Sequence, residues 1–132
     1  MSRKSTVARV AAAGAVAVGL ATVAMTPAAH ATDNSPCGAR FSHAGTTVQY
    51  CKLWRGNVPV LNSSWTKVGT LVDGGSANWF VCQEQGGEYT YGGLKNNWWA
   101  YTEADNGKWG WVSEVFFSGG NNNERDAGLR LC

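Results

Sequence analysis

The chain has 132 residues with 11 basic and 9 acidic side chains, four cysteines and seven tryptophans. That length holds a single domain once a leader is removed. The positive excess is more than accounted for by Arg3, Lys4 and Arg9, so no basic face for nucleic acid or anionic lipid is built into the rest.

Those three residues give the chain a positive start, and an apolar run from Val10 to Met25 follows. Pro27 then breaks any helix, and Ala29-His30-Ala31 has the small-x-small pattern of a cleavage site. The pattern predicts a secretory signal peptide over residues 1–31, cut after Ala31. The apolar run is 16 residues long, short of the roughly twenty needed to span a bilayer, so no membrane anchor is expected after cleavage. Removing 31 residues from 132 leaves 101, with 8 basic against 9 acidic side chains. The protein is expected to be extracellular and monomeric.

Residues 32–45 are poor in apolar side chains and carry Pro36 and two glycines; an irregular arm is expected there, pinned by Cys37. Residues 46–132 are expected to form the folded domain. In Thr46–Trp54, Val48, Tyr50, Lys52 and Trp54 alternate with Gln49, Cys51 and Leu53, which predicts a strand. Val58–Leu61 reads as a short edge strand because of Pro59. Asn62–Thr66 reads as a polar loop holding Trp65. Lys67–Gly75 predicts a strand ending in a glycine turn, and Ala77–Glu84 a second strand. Gln85–Gly93 is glycine-rich and reads as a loop or distorted hairpin carrying Tyr89 and Tyr91.

Strands around Trp98–Glu103 and Lys108–Val112 are joined at Asn106-Gly107, a pair that favours tight hairpins. Trp109 and Trp111 then share one face, with Gly110 and Val112 on the other. Trp98 and Trp99 point to opposite sides, one toward the core and the other to the surface or beneath a loop. Glu114–Phe117 predicts a single 3₁₀ turn. No segment keeps an apolar period of 3.6 over three turns, so no long helix is expected. Gly119–Asp126 reads as a mobile polar tail, tied down at Leu129, Leu131 and Cys132. Five or six short strands with glycine-rich turns predict a small all-β barrel or sandwich.

All four cysteines, Cys37, Cys51, Cys82 and Cys132, lie beyond the expected signal. An even count in a small exported domain predicts two disulfides, with three connectivities open. Cys37–Cys51 with Cys82–Cys132 is preferred, stapling the arm to the first strand and the tail to a central one. The spacings contain no CxxC pair and one histidine follows the signal, so no metal site is expected.

The segments VGTLVDGG, NWFVCQ, NNWWAYTE and NGKWGWVSEVFF, spread through Thr46–Phe117, resemble the bacterial SH3-like domain. The most specific piece is Gly110-Trp111-Val112 following Asn106-Gly107. The stretch from Asp126-Ala127-Gly128 to Cys132 resembles the ends of small secreted actinobacterial proteins of this kind. Two places differ: Asn57–Ser63 lacks the arginine and glycine usual there, and Tyr101 stands where a valine is common. The resemblance implies a small SH3-like barrel that binds cell-wall peptide or glycan.

Catalysis has little support. His43 is the sole histidine after the signal and sits in the expected arm. A nucleophilic triad would need it packed against its partners. Glu84, Glu88, Glu103, Asp105 and Glu114 are scattered, with no spacing that forces a glycosidase pair. No cofactor motif is present. The aromatic side chains exceed what one small core encloses, which predicts a surface groove drawn from Tyr89, Tyr91, Trp98, Trp109 and Trp111, with Glu114 as polar partner. The expected function is a secreted, non-catalytic domain recognising peptidoglycan peptide or glycan. The alternatives are a secreted inhibitor or effector that binds another protein, and then a small glycoside hydrolase.

Overall fold

The computed structural model describes residues 36–132. The expected signal peptide and the first residues of the expected arm lie outside the described residues. The described chain is all-β, with eight strands: β1 (Cys37–His43), β2 (Thr46–Cys51), β3 (Val58–Leu61), β4 (Lys67–Leu71), β5 (Trp79–Phe80), β6 (Gln83–Tyr91), β7 (Leu94–Glu103) and β8 (Trp109–Ser113). A 3₁₀ turn, Glu114–Phe116, follows β8 and is capped by the Ser113 hydroxyl. The strands form two antiparallel sheets, ordered β1-β2-β5 and β4-β3-β8-β7-β6. Among the described residues no helix is long and apolar enough to cross a membrane.

In place of the expected barrel of five or six strands, eight strands form two sheets, of three and five strands, that do not close into a barrel. The reason lies in Ala77–Glu84, which reads as one strand but changes partners midway. Trp79 and Phe80 pair with Tyr50 and Gln49 of β2. The next residues turn to β7 instead: Val81 N–H donates to Tyr101 O, and Tyr101 N–H donates to Cys82 O. This corner passes the chain from the small sheet to the large one. The edge strands β4 and β6 do not pair with each other, so the ladder stays open.

The irregular arm is also corrected, because Cys37–His43 pairs along β2. Its turn is made by Ala44 and Gly45, both with positive φ (50° and 81°), as a two-residue primed hairpin requires. Alanine at the first of those positions gives no turn signal, which hid the hairpin. Phe41 lies opposite Val48 and packs against a small second core of Val48, Val81 and Cys82. The Asn106-Gly107 hairpin is present with a longer loop than a tight turn. Only Gly107 is left-handed (φ 87°), and Ala104 N–H donates to Lys108 O at 2.7 Å. Three loop residues ending on a left-handed glycine form a type I turn with a bulge.

The main core takes Leu53, Val58, Val60 and Leu71 with Phe80, Val112 and Phe116. Each such side chain contributes about 1.5–3 kcal/mol by leaving water. The carboxy-terminal segment, expected to be mobile, is held along the molecule by three buried side-chain amides. Gln83 Nε2 donates to the Asp126 and Leu129 carbonyls (2.6 and 2.5 Å), and its Oε1 accepts from Asp126 N–H. Gln49 Nε2 donates to Gly128 O and its Oε1 accepts from Arg130 N–H. Asn96 Nδ2 donates to Glu124 O. Polar residues inside strands read as solvent-facing; here their amides take the place of a neighbouring strand. The preferred disulfides, Cys37–Cys51 and Cys82–Cys132, are both formed.

Candidate functional site: an aromatic cleft on the large sheet

The site begins with a five-residue loop between β3 and β4. Asn62 Oδ1 accepts from the N–H groups of Ser64 and Thr66 (2.8 and 3.0 Å), and Trp65 N–H donates to Asn62 O. These bonds hold Trp65 at φ 66°, a left-handed conformation that costs a bulky residue roughly 1–3 kcal/mol. The loop thereby presents an indole that remains 52% exposed.

Trp65 leans on β6 where that strand bulges between Gln85 and Tyr89. The bulge carries Gly86 and Gly87, and their lack of side chains makes the seat. A Cβ on Gly87 would lie 2.7 Å from the Trp65 ring, and one on Gly86 would lie 3.0 Å from Trp99. Trp99, 5% exposed, meets Trp65 edge to face at 4.7 Å and donates its Nε1–H to Gly87 O. Trp111 on β8 and Glu84, opposite Trp99 in the β6–β7 register, complete an open cleft of about 170 Å³. Asn62, Ser63 and Gln85 supply further polar groups.

The aromatic surface runs on past the cleft. Trp111, Tyr101 and Trp109 project from one face of β7 and β8, as alternation predicts, with ring centroids 4.8 and 5.4 Å apart. Trp109, 42% exposed, meets Trp79, and Trp79 meets His43 of β1. The Thr102 hydroxyl donates to Trp79 O and fixes that corner.

The six residues expected to line one groove are thus divided. Trp109 and Trp111 lie on the aromatic face. Tyr89 is half-buried, packed edge to face on Trp99 and against Phe116 of the core, so it supports the cleft rather than lining it. Tyr91 packs against Trp54 and Phe116 and lies beneath the Arg55 guanidinium, 4.9 Å from its ring. Trp98 is half-buried, and its neighbour Trp99 is the one beneath a loop. Glu114 is 1% exposed, and its Oε1 accepts from Asp126 N–H, so it anchors the tail out of reach of a surface ligand. Asp126 is buried beside it; desolvation pushes its carboxyl up to about 6, against the opposing pull of N–H bonds from Gly128 and Leu129.

Sequence reasoning missed Trp65, Trp99 and Glu84 as cleft residues, and Trp79 and Tyr101 as its extension. One available signal was the Gly86-Gly87 pair inside a strand, which marks a bulge or a close approach. Among the described residues no group of three or more His, Cys, Asp or Glu side chains is placed to hold a metal ion. Comparison with protein-family models, curated proteins and solved structures returns no match.

Proposed function

We propose that this protein is a secreted, non-catalytic binding domain that holds a cell-wall glycan against its aromatic face. The observation that carries the reading is the cleft of Trp65, Trp99 and Trp111, whose open edge is lined by a carboxylate, amides and a hydroxyl. Indole faces stack on the apolar faces of sugar rings, while polar side chains orient the hydroxyls. At about 170 Å³ the cleft is smaller than the roughly 300–1,000 Å³ typical for a whole drug-sized molecule. It suits one unit of a longer chain, with neighbouring units running over Tyr101 and Trp109.

The two disulfides favour an oxidising compartment, in keeping with export. The SH3-like resemblance of Thr46–Phe117 and its cell-wall ligands support the same source, and an SH3-like relationship for that segment is part of the proposal. Titration with soluble N-acetylglucosamine oligomers, followed by tryptophan fluorescence, tests it beside a parallel titration with free peptidoglycan stem peptides. Saturable quenching by the oligomers is expected. Quenching by the peptides alone transfers the site to cell-wall peptide. Silence in both arms favours the inhibitor or effector reading, since half-exposed tryptophans also anchor protein interfaces.

A further inference from the structure

The polar chemistry at the cleft is one-sided. Glu84 faces Trp99 across the β6–β7 ladder, where directly opposed Cβ atoms on one face lie about 4.5–5.5 Å apart. Its side chain is exposed, and its carboxylate has no hydrogen bond or ion pair with any described residue. The nearby Glu88, by contrast, is paired with Lys95. Among the residues that line the cleft none is basic. Beside the neutral Asn62, Ser63 and Gln85, the large side chains of the lining are indoles, whose faces carry the negative end of a quadrupole and attract cations within about 6 Å. Carboxylate and rings therefore favour a cation, and no lining residue carries a positive charge to favour an anion.

We propose that the cleft selects an ammonium group carried on the glycan, so that its preferred unit is a glucosamine with a free amine rather than its N-acetylated form. The inference rests on the glycan reading above and adds a charge to it. In the bound state the ammonium donates to the Glu84 carboxylate while the sugar face lies on indole. An anionic polymer is disfavoured by the same groups. Acetylation would remove the charge and lose both attractions.

The test compares the disulfide-intact protein against three probes: glucosamine oligomers, N-acetylglucosamine oligomers of equal length, and tetramethylammonium. The free-amine oligomer is expected to bind about tenfold tighter than the acetylated one. The gap should narrow as salt rises from 0.01 M to 1 M, which shortens the screening length from about 30 Å to 3 Å. Glu84→Gln should bring the affinity ratio of the two oligomers close to one. Asp73→Asn, the same charge change in the turn after β4 and outside the cleft lining, should leave the ratio in place. Equal affinity for the two oligomers, or a preference that survives Glu84→Gln, overturns the inference and leaves the glycan reading standing. Binding of tetramethylammonium without either oligomer keeps the cation site and overturns the glycan reading. Silence toward all three probes overturns both.

Discussion

The tail cradle and the aromatic face are built from equally unusual residues, yet they end in opposite states. In the cradle, Gln49, Gln83 and Asn96 are buried, and each meets backbone groups of the carboxy-terminal segment. On the aromatic face, Trp65 and Trp109 are half-exposed, and Trp65 is kept in a strained conformation. Buried polar groups that find their partners within the chain stabilise a fold. Large rings held at the surface at a conformational cost suit the proposed ligand-binding face. The contrast teaches that residue type alone does not separate structure from function here; the location of the partner does.

The largest expected effect breaks the cradle covalently. Replacing Cys82 and Cys132 together with serine frees the last strand-like contact of the tail, and the chain-entropy model puts the loss at about 4 kcal/mol. Urea denaturation measures it, and the aromatic face should keep its ligand under native conditions. Gln83→Leu comes next. It keeps the volume but orphans the Asp126 and Leu129 carbonyls and leaves the Asp126 N–H to Glu114 alone, for a loss of about 3 kcal/mol at unchanged disulfide content.

Asp126 gives the cradle a pH signature. Burial raises its carboxyl from the ordinary aspartate value of 3.8 to about 6, so the folded state binds its proton more tightly. Stability from this group is therefore greatest below about pH 4 and falls as pH rises through 6, by at most roughly 3 kcal/mol. Ordinary surface carboxylates do not produce a loss in that direction. The difference in stability between the parent and Asp126→Asn, measured from pH 4 to pH 7, isolates it. The variant should show a flatter profile; parallel profiles would show that Asp126 titrates normally.

How much was legible in the sequence follows the same division. The all-β class and the shared face of Trp109 and Trp111 come from local alternation, and the two disulfides from the even cysteine count and the need to staple the two ends; all are present. The β1 hairpin was hidden because its left-handed turn begins with Ala44 rather than with asparagine or glycine. Glu114 reads as a surface carboxylate until the distant Asp126 is known to lie against it. The cleft depends on a similar long-range meeting, since the Trp65 loop becomes a wall only by resting on the Gly86-Gly87 bulge of another strand. Periodicity sees one strand at a time, and each of these features needs two.

The smallest expected change in fold goes with the clearest expected change in function. Trp65→Ala removes a half-exposed ring that rests edge to face on Trp99 and should cost about 1–2 kcal/mol of stability, less than either cradle variant. It should nonetheless cost about 1–3 kcal/mol of ligand binding, as anchoring aromatics do. The direct measurement is co-sedimentation of the parent and Trp65→Ala with purified peptidoglycan, each first shown to be folded. The parent should pellet with the wall, while the variant should stay largely in the supernatant. Equal pelleting of a folded Trp65→Ala would contradict a glycan site at this cleft.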